Sequence, residues 1–236
     1  MVADTLEAPA NLDALAPVGS TTTWDGSPQT ILPLVDTLLM PQPPNGSMVF
    51  AYQNKSTLTN QGQLALSSGG GQPIILDVPA LIQQPFIYVH NWGANNLTVN
   101  NISRQDNTPI WVEAFGPGLP GQTPITFTTG TPFKLNPQPS STSVAQGVTQ
   151  PKNMLLRMTS NSGDLTIVAI IGGPPNPEGN NAYVFALNSP GGSDGYTKVT
   201  SGNSLDYQFN WSSSVIYIAN MSPATAAAAT FNLIAL

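Results

Sequence analysis

Met48-Val-Phe-Ala-Tyr-Gln-Asn54 decides the fold. Aromatic and β-branched residues dominate it, Gly46 precedes it, and the polar Lys55-Ser-Thr run ends it before a helix could form. Runs of the same kind recur down the chain. They are Gly62–Ser67, Ile74–Val78, Phe86–Asn91, Leu97–Ile102, Ile110–Phe115, Ile125–Thr129 and Met154–Thr159. Leu165–Ile171, Ala182–Asn188, Tyr196–Thr200, Ser204–Phe209, Val215–Ala219 and Thr230–Leu236 complete the series. Clusters of Gly, Asn, Ser and Pro separate them, with turn signals at Ser162-Gly-Asp164 and Asp194-Gly195. Past residue 47 only the tract Ala226–Ala229 could favour a helix, and it lies between Pro223 and a β-branched terminus. The expected fold class is all-β: an antiparallel β-sandwich of jelly-roll type.

A faint internal duplication suggests two related modules. Val49-Phe-Ala-Tyr-Gln-Asn54 resembles Val184-Phe-Ala-Leu-Asn-Ser189, and Ile87-Tyr-Val-His-Asn91 resembles Ile216-Tyr-Ile-Ala-Asn220, in the same order. The chain then divides into four parts that can pack as one domain. These are an extended N-terminal arm (1–47), a first β module (48–102), a proline-rich segment (103–178) and a second β module (179–236). The arm includes the apolar run Ile31-Leu-Pro-Leu-Val-Asp-Thr-Leu-Leu-Met40, interrupted and followed by proline. Within the proline-rich segment, 136–151 is polar and aperiodic and is expected to be a long exposed loop. Prolines beside strands remove ladder donors and so guard edges.

Composition narrows the function. Charged residues make up 8 % of the 236, against roughly a quarter in an average domain. Hydrophobic residues reach 40 %, which predicts a folded, soluble chain rather than a disordered one. No apolar run approaches the roughly 20 residues of a membrane-spanning helix. The net charge is −6, and Lys55, Arg104, Lys134, Lys152, Arg157 and Lys198 are scattered singly, so no nucleic-acid partner is expected. Without cysteine, neither disulfides nor thiolate metal sites arise. Met1-Val-Ala-Asp-Thr-Leu-Glu7 carries acids where a secretory leader has a basic start, so no signal peptide is read. A virion or extracellular location suits the composition better than any other.

Catalytic groups are sparse. His90 is the only histidine, at the end of a strand and without a Gly-x-Ser-x-Gly elbow. Asp106 and Glu113 flank Trp111, the one grouping reminiscent of a sugar cleft. Asp194 with Asn188 and Ser193 offers oxygen ligands, yet no Asp-x-Asp-x-Asp pattern accompanies them, and turn chemistry accounts for all three. No catalytic residue, cofactor or metal is expected.

Two functions follow. The first is a non-enzymatic structural protein whose partners are copies of itself, assembling through sandwich surfaces and the arm as part of a virion, shell or extracellular appendage. Uncharged polar surfaces favour it, because they are cheaper to desolvate than charged ones. The alternative is a carbohydrate-binding, lectin-like module with glycans as partners. In it Trp92, Trp111 and Trp211 stack on sugar rings while Asn91, Asn95 and Asn210 bond hydroxyls. Asn-x-Ser and Asn-x-Thr sequons, Asn101-Ile-Ser103 and Asn220-Met-Ser222 among them, decide between neither.

Overall fold

The computed structural model describes residues 19–24, 30–33, 36–41, 47–69, 71–91, 95–105, 108–138, 140–149, 152–172, 181–192, 194–211, 214–223 and 225–236. Two kinds of strand occur in it. β17 (Ser204–Trp211) alternates, with Leu205, Phe209 and Trp211 buried and Ser204, Asp206, Gln208 and Asn210 exposed. One face of such a strand meets a core and the other meets water. β9 (Ile110–Phe115), β14 (Thr166–Ile171) and β15 (Ala182–Leu187) are instead buried at every position. A strand without a solvent face needs sheets on both sides, so a single two-layer sandwich cannot hold this chain.

Four sheets stack as four layers. The first contains β1 (Thr21–Thr23), β3 (Thr37–Met40), β8 (Leu97–Asn101), β5 (Gly62–Ser68) and β6 (Ile74–Val78), in that order. The second runs β2 (Thr30–Leu32), β9, β4 (Ser47–Asn54), β7 (Phe86–Asn91). In the third, β10 (Ile125–Thr126), β12 (Val144–Thr149) and β18 (Ser214–Asn220) lead to β14, β15 and β16 (Lys198–Val199). The fourth is β11 (Phe133–Leu135), β19 (Ala229–Ala235), β13 (Lys152–Ser160), β17. One core, including Leu38, Phe50, Leu64, Val99 and Val112, fills the gap between layers one and two. Another, including Met154, Phe185, Phe209, Ile218 and Phe231, fills that between three and four. A third joins layers two and three.

Both sandwiches have the same topology. Numbering eight strands of each in chain order, from β2 and from β11 and leaving out β16, one sheet reads 1-8-3-6 and the other 2-7-4-5. Every neighbouring pair among these is antiparallel, which is the jelly-roll arrangement. Each sandwich also begins with an extra strand parallel to its second: β1 beside β3, and β10 beside β12. The chain is therefore all-β, built of two stacked jelly rolls.

A repeated hydrogen-bonded corner ties the equivalence to side chains. Asn101 ends β8 and Asn220 ends β18, and both are wholly buried. Nδ2 of Asn101 donates to Leu32 O (3.0 Å), and Nδ2 of Asn220 to Leu135 O (3.1 Å), each carbonyl at the end of the sandwich's first strand. Their Oδ1 atoms accept from the amides of Ser103 and Ser222, both at 3.1 Å, and from the hydroxyls of those serines. The hydroxyls in turn accept from Gln63 N (3.1 Å) and Ile167 N (2.9 Å). Three strands are tied together at one amide in each sandwich, and no buried polar group at the corner loses its partner.

The registers revise the sequence expectations. Residues 21–40 are not an arm: they form β1, β2 and β3, and Trp24, Leu32, Leu38 and Met40 are buried in the first core. The part of the expected arm before residue 19 lies outside the described residues. The stretch 103–178 is not a unit either, since β9 closes the first sandwich and β10 to β14 open the second. Nor is 136–151 a long loop, because β12 occupies Val144–Thr149. The strand matches also shift. β4 and β7 are neighbours in one sheet, whereas β15 and β18 have β14 between them, so the two resemblances join strands that are not equivalent. Equivalent residues lie 119 apart: Asn91 with Asn210, and Asn101 with Asn220.

Replacing either corner amide by alanine strands several buried groups, each worth about 1–3 kcal/mol. Asn101→Ala and Asn220→Ala are each expected to lower stability by about 3 kcal/mol or more. Asp in the same places keeps the acceptor and loses the donor, and so is expected to remain destabilised. Urea midpoints for the four variants test this.

Candidate functional site

The candidate ligand-binding residues do not come together. Trp111 sits on β9, 3 % exposed, on the face turned to the third layer, where it joins Val49, Ala51 and Phe115 against Ile167, Ala169 and Val184. Trp211 is 2 % exposed and packs in the second core, its ring 4.4 Å from that of Phe209. Neither ring is available to a sugar. Asn210 precedes Trp211 on the same strand, and alternation sends its side chain to the solvent face of the fourth layer. Asn95 is exposed beside Gly69. Asn91 pairs through its backbone with Ser47, and its side chain and Trp92 lie outside the described residues.

The other chemical candidates are also dispersed. Glu113 shares the Trp111 face and is 1 % exposed, buried under the third layer rather than in a cleft, and Asp106 lies outside the described residues. His90 stacks on Tyr88, with Nδ1 3.3 Å from the phenol, and partial burial lowers its pKa. The Asn188 amide donates to the carbonyls of Ser162 (2.9 Å) and Asp164 (3.0 Å), which uses it in a turn rather than as a cation ligand. Ser193 lies outside the described residues. Asn101 and Asn220 are sealed inside the corners, so neither sequon is open in the folded chain.

Surfaces hold what chemistry remains. Apart from Glu113, the contact between layers two and three is mainly apolar and dense with small residues: Ala51, Ala169, Ala182 and Ala219 beside Trp111 and Phe115. Lys55 covers the rim of Trp111, its ammonium 5.6 Å from the ring centroid, and burial lowers its pKa. The connection from β15 to β17 clamps this contact. Ser189 Oγ donates to Gln84 Oε1, Tyr196 Oη to Pro85 O (3.0 Å), and Ile87 N to Asp194 O (3.2 Å). Gly195 comes so close that a Cβ there would stand 2.1 Å from Ile87 O, at a φ of 93° that also favours glycine.

The two outermost faces are polar with little charge. Layer one presents Gln63, Ser67, Thr98, Asn100 and Asp77, the last accepting from Gln63 Nε2 at 2.9 Å. Layer four presents Asn153, Gln208, Asn210 and Asn232, with Arg157 and Asp206 joined by two hydrogen bonds of 2.9 and 2.8 Å. By register Arg157 occupies the place of Ala51, and Asp206 that of Ile87. Of the exposed apolar side chains, Leu58, Leu81, Ile82 and Ile102 stand on loops at one end of the first sandwich, while Ile75, Val148 and Val215 stand on strands β6, β12 and β18. Leu81 has a φ of 61°, a strained conformation for leucine. An open depression of about 650 Å³ at that end is lined by Gln61, Gln63, Asp77, Pro79 and Arg104.

Ala51→Arg forces a long charged side chain into the packed contact between layers, directly opposite the buried Glu113, and the overpacking is expected to lower stability by about 1–3 kcal/mol. Arg157→Ala, at the equivalent exposed place, is expected to leave stability nearly unchanged, because a solvent-screened pair contributes little. Denaturant titration separates the two. Burial raises Tyr52 from the ordinary 10 to about 12 and pushes Tyr196 higher still. An unfolded tyrosine ionises before these folded ones, so their contribution is complete below pH 10 and lost as pH rises. For Tyr52 the loss falls between pH 10 and about 12 and amounts to about 2–3 kcal/mol. Melting temperatures across that window are expected to fall.

No protein-family model and no curated protein sequence matches this chain. Among solved structures it is similar to the CUB1-EGF-CUB2 domains of rat MASP-1 at 10 % identity, covering 90 % of this chain and 100 % of that one, with a TM-score of 0.27. It is also similar to the functional form of the mosquito-larvicidal Cry4Aa toxin from Bacillus thuringiensis at 10 % identity. That match covers 89 % of this chain and 54 % of the toxin, with a TM-score of 0.20.

Proposed function

We propose that this chain is a non-enzymatic structural building block that assembles with copies of itself, as a component of a virion, shell or extracellular appendage. Jelly rolls serve in capsids and in lectins alike, so the fold does not choose between these functions. The observation that carries the proposal is the state of the surfaces. Two sheet faces of this chain already associate through a mainly apolar contact that encloses the acid Glu113, and the two outermost faces carry amides and hydroxyls where charge is usual. Such faces associate at a smaller desolvation penalty than charged ones. The acids also serve structure: Asp36 accepts from Ser20 N, Asp77 from Gln63, and Asp206 from Arg157. The carbohydrate-binding alternative drew on three tryptophans, and two of them fill cores, so no observation favours it.

Light scattering at rising concentration tests the proposal. Masses that are multiples of 24.7 kDa are expected. A mass of 24.7 kDa throughout overturns it. The arm to delete in such work is residues 1–18. Deleting 1–47 removes β1, β2 and β3 and is expected to unfold the first sandwich.

A further inference from the structure

The two jelly rolls treat one edge differently. In the second sandwich the outer edge of β15 is covered by β16, which runs parallel to it with Phe185 opposite Lys198 and Ala186 opposite Val199. Thr197 N donates to Val184 O (2.7 Å), Thr200 N to Ala186 O (2.9 Å), and Val184 N to Thr197 Oγ1 (3.0 Å). The equivalent strand of the first sandwich is β6, where Ile75 stands opposite Ala65 as Val184 stands opposite Ala169. β6 pairs with β5 alone. Among the described residues no strand covers its other side, and Ile75 is 48 % exposed there. An open apolar edge is a template for another strand.

We propose that the β6 edge receives residues 1–18 of a second copy of this chain, in the place that β16 fills on β15. This rests on the self-assembly reading above and names the surfaces it uses. Among the stretches outside the described residues, 1–18 is the longest, and extended it reaches about 60 Å. It joins the first layer at β1, the edge opposite β6 and four strand spacings away, about 19 Å. Donor and acceptor thus occupy opposite edges of one sheet, a heterologous relation that generates rings or filaments. Charge does not decide the occupant: the segment carries Asp4, Glu7 and Asp13, and the depression beside β6 holds both Arg104 and Asp77.

The test uses the full chain. Val184 N points away from β14, so Ile75 N points away from β5, and Ile75→Pro removes no bond within the sheet. Ile75→Lys guards the edge without touching the backbone. Both variants, and deletion of 1–18, are expected to keep the melting temperature and to reduce the scattering mass to that of a single chain, 24.7 kDa for the two full-length variants and correspondingly less for the deletion. The chain has no cysteine, so with Ile75→Cys in one population and Val2→Cys, Leu6→Cys or Leu12→Cys in another, the mixed disulfide, told by its mass from the symmetric ones, reports the intended contact. Disulfide-linked dimers are expected from at least one mixture.

Assembly unchanged in all three altered chains, without cross-links, overturns the edge site and leaves self-assembly standing. A wild-type monomer overturns self-assembly and the edge site with it. Dissociation by the Ile75 variants but not by the deletion overturns the assignment to 1–18. A bridge closing within one chain carrying both cysteines overturns transfer between copies.

Discussion

The contact between the second and third layers is the constraint on which the rest of the molecule depends. A jelly roll by itself has two outward faces, and here one face of each roll is covered by the other. That is why β9, β14 and β15 have no polar side, and why Trp111 and Glu113 lie inside rather than over a cleft. Alanines at 51, 169, 182 and 219 leave room for the rings of Trp111 and Phe115, so sheets that could only touch through large side chains here interlock. The β15–β17 connection then fixes one sheet against the other. Gly195 allows the approach to Ile87, and Tyr196 and Ser189 supply the hydrogen bonds.

The stacking is heterologous, because a 1-8-3-6 sheet of one roll lies on a 2-7-4-5 sheet of the other. Such a relation can continue indefinitely unless something stops it. Residue choice on the equivalent outer faces supplies the stop. Where the second layer has Ala51 and Ile87, the fourth has Arg157 and Asp206, a pair that a third roll could cover only by desolvating both charges, at several kcal/mol. Extension along the stack is thereby disfavoured. Continuation of the same stack is blocked at that pair, while the uncharged remainder of both outer faces, the edges and the loop end of the first sandwich, where Leu58, Leu81, Ile82 and Ile102 are exposed, stay open to other copies.

The sequence carried the fold class in its alternating runs and missed strands for identifiable reasons. β2 and β3 lie among Pro33 and Pro41, which read as breaks but here only bound the strands. β12 escaped notice because Gly147 interrupts its apolar pattern. The ring of Phe127 occupies the space where a side chain would stand, only 2.6 Å from a Cβ. The duplication was visible in the wrong place. Val49–Asn54 and Val184–Ser189 look alike because β4 and β15 both lie in the contact between the second and third layers, not because they are equivalent. The true repeat joins two features that looked unrelated, the Asn-Trp pairs and the Asn-x-Ser sequons: Asn91-Trp92 and Asn101-Ile-Ser103 against Asn210-Trp211 and Asn220-Met-Ser222. For the site, period-two geometry already separates Asn210 from Trp211, while the burial of Trp111 depends on the second sandwich and is not local information.

Scarcity of charge has two origins that the layers separate. Part of it is imposed by folding, since strands enclosed on both faces have no position where an unpaired charge is tolerated. The outer faces are a different case. Thr98 on the first layer, and Asn153, Gln208 and Asn210 on the fourth, alternate with buried neighbours on the outer faces, where lysine or glutamate would serve the fold equally well. Nothing in the packing requires amides and hydroxyls there. Their selection is therefore a property of the surface, and it is the property that separates a chain suited to covering its faces with its own kind from one suited to remaining apart in solution.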